Sequence, residues 1–249
     1  ISIFFFIAPY LHGQNKIIIN DTFDFIEVDK QGNVYLVNDA TLKKYSPQGR
    51  FLYSYSDKLS CTIATVDVSN PLRILVFYKE SNRLIFLNQQ LTPLADVIDV
   101  YNITNAEIEN VGLSSRGGFW AYVNDKQSLV HISENAVVDV ESMELSSMTD
   151  GSVFFVREFN QQIFMGVYQK VLVFDNYGAY ITSIHFKDVD YIKWMGRIII
   201  YKKADKIYEY QLANKVEKVI DTSNVKSTVL ADDKNIYYLK NGTIEIINR

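Results

Sequence analysis

A short apolar run that recurs six times is the feature that most constrains the fold of this chain. The runs begin about 40 residues apart, a period typical of β-propellers, in which each repeat forms one blade. A second strand-like run follows each of them at a similar interval. The first runs are VYLV from Val34, ILVFY from Ile74, FWAYV from Phe119, IFMGV from Ile163, IIIYK from Ile198 and IYYLK from Ile236, and the second runs begin at Leu42, Arg83, Leu129, Val171, Ile207 and Thr243.

Residues 25–56 state the repeat in full. They read as the strands FIEV, NVYLV, TLKKYS and RFLYSYS, separated by the polar turns DKQG, NDA and PQG. Gly, Pro, Asn and Asp are the residues that tight turns favour, so this segment is expected to form a four-stranded antiparallel blade. The fourth strands predicted for the first five units are RFLYSYS, LTPLADVI, VVDVESM, YITSIHF and VEKVI.

The sixth unit, STVLADDKNIYYLKNGTIEIINR, holds three strands, of which the last two are joined by Asn241 and Gly242. The strand KIIIN at residues 16–20 precedes the first unit and has no place in it. We expect it to be the outermost strand of the last blade, because this pairing covers a sheet edge that would otherwise be open. The sequence therefore predicts an all-β, six-bladed β-propeller closed by an N-terminal strand.

Composition fits one β-rich globular domain over residues 14–249. Tyr 17 and Phe 15 against Pro 4 and Gly 11 is an aromatic balance that suits strands. The net charge of -4 argues against a nucleic-acid partner, since such a surface needs a basic patch.

Residues 1–13 predict the remnant of a secretory signal peptide. The apolar run ISIFFFIA is followed by Pro9 and then by His12 and Gly13, which resembles the end of such a peptide. The run is too short to span a bilayer, so no transmembrane segment is expected. The protein is accordingly predicted to be exported, and to be periplasmic or associated with the cell envelope.

The first unit resembles the NHL-type repeat of six-bladed propellers. In that family an Asp opens the turn after the first strand, Gly-Asn begins the second strand, and a Gly separates the third from the fourth. Asp29, Gly32, Asn33 and Gly49 match these positions, and FDNYGAYI from Phe174 repeats the second half. The resemblance implies a propeller fold, and such propellers serve as scaffolds, ligand binders and enzymes alike.

Enzymatic propellers of the gluconolactonase and paraoxonase kind hold a divalent metal at the channel mouth, with oxygen ligands from several blades. A resemblance to them would imply such a metal here. Most acidic groups here fall in turns, where Asp is expected for its own backbone hydrogen bonds, so no metal ligand, cofactor or catalytic residue is predicted. The charged candidates on or beside the innermost strands are Glu27, Asp29, Asp67, Glu107, Glu109, Arg157, Glu158, Asp188, Asp190, Asp232 and Asp233.

Other chemistry-bearing residues are interpreted structurally. His131 and His185 fall on a third and a fourth strand, away from the channel axis, and Cys61 is expected to pack as a small apolar residue. Residues 114–118, SSRGG, are predicted to be the turn between the first two strands of the third blade. Trp120 and Trp194 are expected to pack between blades, and the alternative is that they stack on a sugar.

These observations predict a non-catalytic propeller that binds a protein or a ligand, in the role of an accessory subunit of a cell-envelope complex. The alternative, from a different class, is a lactonase-like hydrolase or lyase with a metal at the channel mouth. Convergence of several carboxylate or amide oxygens from different blades would favour the enzyme.

Overall fold

The repeated unit of the sequence folds as a four-stranded antiparallel sheet, and six such sheets stand in a ring. The computed structural model describes residues 16–57, 61–149, 152–221, 228–240 and 242–249. First strands of neighbouring blades contact one another and so surround a central channel. The predicted all-β six-bladed propeller is confirmed.

The strands are numbered in chain order. The first half of the chain contains β1 (Lys16–Asn20), β2 (Phe25–Val28), β3 (Val34–Asn38), β4 (Thr41–Tyr45), β5 (Phe51–Ser56), β6 (Thr65–Asp67), β7 (Ile74–Tyr78), β8 (Arg83–Leu87), β9 (Ile98–Asp99), β10 (Ile108–Leu113), β11 (Phe119–Val123), β12 (Ser128–Ile132) and β13 (Val138–Glu141). The second half contains β14 (Phe155–Phe159), β15 (Gln162–Val167), β16 (Lys170–Asp175), β17 (Tyr180–His185), β18 (Tyr191–Met195), β19 (Ile198–Lys203), β20 (Lys206–Gln211), β21 (Val216–Asp221), β22 (Thr228–Ala231), β23 (Asn235–Lys240) and β24 (Thr243–Asn248). Blades 1 to 5 are β2–β5, β6–β9, β10–β13, β14–β17 and β18–β21.

Blade 6 is completed by the N-terminal strand. Its strand order is β22, β23, β24 and then β1, with Lys16 opposite Ile247 and Asn20 opposite Thr243. The predicted closure is therefore confirmed. Because β1 and β24 lie at opposite ends of the described chain, their ladder of backbone hydrogen bonds closes the ring.

Blade 2 departs from the prediction at its outer edge. The sequence predicts a full fourth strand from Leu91, but regular pairing is confined to β9, and Pro93 makes one isolated bridge with Leu87. A proline has no N–H to donate to a ladder, which explains why the strand is interrupted there. Only Ile98 of the predicted strand LTPLADVI lies in β9, so most of that prediction is wrong.

Helices are short in the described residues. They comprise α1 (Tyr101–Thr104), which follows blade 2, and a 3₁₀ turn at Lys79–Ser81 between β7 and β8. No helix among the described residues has the length and apolar character that a membrane crossing requires.

The core lies between the blades and uses both faces of their inner strands. Side chains alternate across a strand, so Val34 and Leu36 of β3 pack toward blade 6 while Tyr35 and Val37 pack toward blade 2. This two-sided burial explains why the second strand of each repeat is a continuous apolar run in the sequence. Five apolar clusters of this kind fill the contacts between neighbouring blades.

Two innermost strands approach each other closely at Gly112. A Cβ atom at this position of β10 would lie 2.0 Å from the backbone oxygen of Val156 on β14. Any larger residue would force the two strands apart. This close approach brings the next residue of β14, Arg157, toward the carbonyl groups of blade 3.

Candidate functional site

Four charged side chains from four innermost strands meet in the middle of the channel. They are Glu27 of blade 1, Asp67 of blade 2, Arg157 of blade 4 and Lys193 of blade 5. We call this group the channel cluster. Ring closure assembles it, because each member lies on a different blade.

Arg157 is the centre of the channel cluster and is almost completely buried. Its guanidinium donates hydrogen bonds to the backbone oxygens of Val66 at 2.8 Å and of Val156 at 2.9 Å. It also reaches Glu27 Oε1 at 3.4 Å and lies 3.8 Å from Asp67 Oδ2. The planar guanidinium can satisfy several acceptors at once, so one side chain links blades 1, 2 and 4.

The two carboxylates of the channel cluster are held differently. Asp67 accepts hydrogen bonds from the backbone N–H groups of Ser69 and Leu113, both at 2.9 Å. Burial raises the pKa of Glu27, although Lys193 and Arg157 oppose that shift. Glu27 is thus the member whose charged state is least well supported by its surroundings.

Lys193 is the most accessible member of the channel cluster, with 34% of its side chain exposed. Its Nζ lies 3.9 Å from Glu27 Oε1 and 5.4 Å from the centre of the Phe25 ring. The first distance is an ion pair rather than a hydrogen bond, and the second places the cation over an aromatic face.

A cavity of about 540 Å³ opens above the channel cluster, where the innermost strands begin. We call it the upper mouth. Glu27, Arg157 and Lys193 form its floor. The apolar side chains in its wall include Phe23, Phe25, Phe155, Tyr191, Trp194, Leu230 and Leu239.

Two aromatic side chains of blade 4 stand exposed at the rim of the upper mouth. Phe154 is 51% exposed and Tyr168 is 63% exposed, although both are large apolar groups. An apolar patch next to a concave, apolar cavity is a common mark of a binding site.

The opposite end of the channel, the lower mouth, is a wider and more polar cavity of about 1120 Å³. It is lined by the turns that join first to second strands. In these turns Asp29 and Asp232 accept backbone hydrogen bonds and a phenol hydrogen bond each, from Tyr35 and Tyr237. The lower mouth is therefore built largely of turn chemistry.

The acidic candidates do not converge on one point. Glu27 and Asp67 come together in the channel cluster, whereas Asp29 and Asp232 serve turns, as predicted. No group of His, Cys, Asp and Glu among the described residues has the arrangement of a metal site. The remaining candidates are dispersed: Glu107 and Asp188 are exposed, Glu109 pairs with Lys79, Glu158 accepts from Ser115 and Trp120, Asp190 pairs with Lys202, and Asp233 pairs with Arg197.

The histidines lie where the sequence places them, on a third and a fourth strand. His131 of β12 is buried and contacts Asp139 Oδ1 at 2.5 Å and the backbone oxygen of Gly117 at 2.9 Å. His185 is exposed at the end of β17.

Residues 114–118 form the predicted turn of blade 3, and Cys61 packs against the apolar cluster between blades 1 and 2.

Both tryptophans are buried between blades, as expected. Trp120 packs in the cluster of blades 3 and 4 and donates to Glu158 Oε2 at 3.0 Å. Trp194 packs against Phe155 and Phe164 of blade 4. Neither indole offers a broad open face, so the alternative of sugar stacking loses its basis.

Sequence reasoning named Glu27, Asp67 and Arg157 but assigned no site to them, and it missed Lys193 and the upper mouth. A usable signal exists, because Arg157 and Lys193 stand in the middle of the otherwise apolar strands FVREF and YIKWM. Charged residues are almost never fully buried unless they are paired. Such positions predict a buried ionic cluster, although the sequence does not show which strands supply the partners.

The fold and this geometry define a six-bladed β-propeller with a charged cluster across its channel. Similar solved structures include a catalytically inactive virginiamycin B lyase from Staphylococcus aureus with quinupristin, at 12% identity and a TM-score of 0.59. That match covers 90% of this chain and 79% of the lyase chain.

Two further solved domains are similar to about the same degree. The Pan2 WD40 domain of Neurospora crassa matches at 12% identity and a TM-score of 0.58, over 91% of this chain and 74% of that one. The BBS1 N-terminal domain in complex with ARL6 matches at 13% identity and a TM-score of 0.56, over 87% and 75%. No family model and no curated protein matches the chain. These likenesses show the fold alone.

Proposed function

We propose that this protein is a non-catalytic, ligand-binding propeller that holds a small, largely apolar ligand in the upper mouth. The observation that carries the proposal is the apolar cavity of about 540 Å³ with the exposed rings of Phe154 and Tyr168 at its rim. Small-molecule sites are commonly concave, mostly apolar and about 300–1,000 Å³ in volume, with a few polar groups that orient the ligand.

The floor of the upper mouth supports binding rather than catalysis. The Arg157 guanidinium donates hydrogen bonds to oxygens of Val156, Glu27 and Val66, so its role is structural. Both described histidines lie outside the residues that line this cavity. General acid–base chemistry needs a group within hydrogen-bond reach of the reacting atom, and His131 is instead engaged by Asp139 and Gly117.

The structural neighbours are compatible with this role. One is a lyase crystallised with quinupristin, and another is the BBS1 N-terminal domain in complex with ARL6. Our proposal also retains the NHL-type resemblance, export, and a protein partner in the cell envelope. Export rests on the sequence pattern of residues 1–13, which lie outside the described residues.

Binding of N-phenyl-1-naphthylamine, a neutral apolar fluorophore, tests the proposal. We expect saturable binding to one site. Phe154→Ala and Tyr168→Ala should each weaken it about 5-fold, since each removes part of the apolar contact at the rim. Tyr177→Ala is the matched control, because Tyr177 is also largely exposed on blade 4 but lies outside the upper mouth.

Two results would overturn the proposal. One is the absence of saturable binding by the wild-type protein. The other is an equal loss of affinity in all three variants, which would indicate general adsorption to exposed rings rather than a site.

A further inference from the structure

We propose that the ligand of the upper mouth carries a carboxylate at one end of its apolar body, and that Lys193 binds this carboxylate. The inference rests on the proposed function and specifies its ligand class. The ligand class is inferred from the charged residue of the cavity floor whose hydrogen-bond donors are not used within the protein.

Lys193 has donors that the protein leaves unused. An ammonium group has three N–H donors, and among the described residues the contacts found for Nζ are an ion pair with Glu27 and the face of the Phe25 ring, with no hydrogen bond. Its nearest acidic oxygen, on Glu27, is 3.9 Å away. A cation beside apolar walls with free donors is stabilised by an incoming acceptor, and most by a charged one.

The other members of the channel cluster already have partners. Arg157 donates to backbone oxygens of Val66 and Val156 and faces both carboxylates of the channel cluster. Asp67 points to two backbone N–H groups and does not line the cavity. Glu27 shares its charge between Arg157 and Lys193, so an ammonium ligand would compete with two resident cations for one carboxylate.

The acidic groups at the rim do not cancel this preference. Asp190 is paired with Lys202 at 3.4 Å, and Asp24 accepts a hydrogen bond from the backbone N–H of Asp39 at 2.7 Å. Both are exposed to solvent, where water and salt screen their charge. Lys193 lies deeper, between aromatic walls, where electrostatic interactions are stronger.

Three probes with the same body and different head groups test the inference: 4-phenylbutyrate, 4-phenyl-1-butanol and 4-phenylbutylamine. Their affinities are measured by calorimetry and by displacement of N-phenyl-1-naphthylamine. We expect the acid to bind about 10-fold tighter than the alcohol, and the amine to bind weakest.

Variants of the lysine locate the effect. Lys193→Gln should abolish the difference between acid and alcohol by weakening the binding of the acid, whereas Lys193→Arg should retain the difference because it keeps the charge. Lys203→Gln is the control, since Lys203 is exposed and lies outside the cavity lining. It removes one positive charge and should preserve the preference.

The outcomes separate the two proposals. If the alcohol binds and the acid binds no better, the inference fails while the proposed function stands. If the preference for the acid persists in Lys193→Gln, Lys193 is not the group that binds it, and the inference also fails. If none of the three probes binds and the fluorophore does not bind either, both proposals fail.

Discussion

Glu27 and Asp29 are two residues apart, yet their carboxylates have different roles. Asp29 accepts hydrogen bonds from the backbone N–H groups of Gln31 and Asn33 and from the Tyr35 hydroxyl, all within six positions along the chain. Glu27 meets Arg157 and Lys193 across the channel. The first role could be predicted because its partners are close in sequence, and the second could not, because its partners come from other blades.

A third carboxylate, Glu209, connects blade 5 to the end of blade 6. It is buried on β20 and pairs with Arg249, with Lys218 at 3.0 Å, and with Gln211 at 2.9 Å. Burial alone would raise the pKa of Glu209, but hydrogen bonds from Gln211, Arg249 and Lys218 outweigh it and lower the pKa. A lowered pKa in the folded state means that the ionised carboxylate stabilises the protein.

This contribution predicts an acid-dependent loss of stability. It is fully present above the ordinary glutamate pKa of 4.5 and is lost as pH falls through the lower folded-state value. We expect Glu209→Gln to lower the melting temperature at pH 7, and the difference from wild type to shrink below pH 4.5. Thermal unfolding followed by circular dichroism across pH measures both effects.

The control for this experiment is Glu80→Gln, since Glu80 is an exposed residue of the 3₁₀ turn. It should leave the melting temperature nearly unchanged at every pH. A difference in melting temperature between Glu209→Gln and wild type that stays constant down to strongly acidic pH would contradict the assignment. Protonation neutralises Glu209 in the wild type there, so a difference that persists would not arise from the charge.

At the scale of elements, most strands could be predicted because the inner strands are buried on both faces and therefore have continuous apolar sequences. The exception is the edge of blade 2, where Pro93 interrupts the ladder that the surrounding apolar residues suggest. Fourth strands are half exposed, so their sequences are less constrained by packing than those of the inner strands. The register irregularity between His131 and Ile132, one of several between third and fourth strands, also has no simple sequence signal.

The strand β1 offers a direct test of ring closure at this scale. Ile19 is 2% exposed and packs in the cluster shared by blades 5, 6 and 1, while its neighbour Ile18 is 49% exposed. Ile19→Ala should destabilise the protein by about 2–4 kcal/mol through lost burial and a residual cavity. Ile18→Ala, on the other face of the same strand, should change stability by less than about 0.5 kcal/mol.

Urea unfolding of the two variants measures these values. The comparison holds strand propensity constant, since both variants replace an isoleucine of the same edge strand with alanine. Equal effects of the two substitutions would show that β1 contributes through its backbone ladder alone and that its buried face adds nothing.

For the whole molecule, the number of blades and the manner of closure could be predicted, but the site could not. The repeat in the sequence reflects the apolar packing between neighbouring blades, because that packing recurs in every blade. The channel cluster does not repeat: Arg157 and Glu27 are 130 positions apart and meet through ring closure. The order of the repeats places blade 4 opposite blade 1 in a ring of six, but the pattern does not show which residues of the innermost strands lie at the same level of the channel.

Arg157 therefore contacts several blades of the ring, and its removal should lower the stability of the whole propeller rather than of blade 4 alone. Arg157→Met would leave Glu27 and Asp67 with a buried negative charge that Lys193, at 3.9 Å from Glu27, balances incompletely. Removing one partner of a buried ion pair costs about 3–5 kcal/mol, and we expect a loss of that size in urea unfolding. Arg116→Met, which removes a half-exposed arginine paired with Asp139 at the propeller surface, should cost less than about 1 kcal/mol.

A double-mutant cycle with Glu27→Gln distinguishes lost charge pairing from lost packing. If Arg157 stabilises the ring by compensating Glu27, neutralising Glu27 removes part of the penalty. The double variant should then be more stable than the sum of the single effects predicts, by about 1–3 kcal/mol. Additive effects would mean that Arg157 contributes through its hydrogen bonds to the backbone oxygens of Val66 and Val156. The ring would then be held across the channel by those backbone contacts, independently of the carboxylate of blade 1.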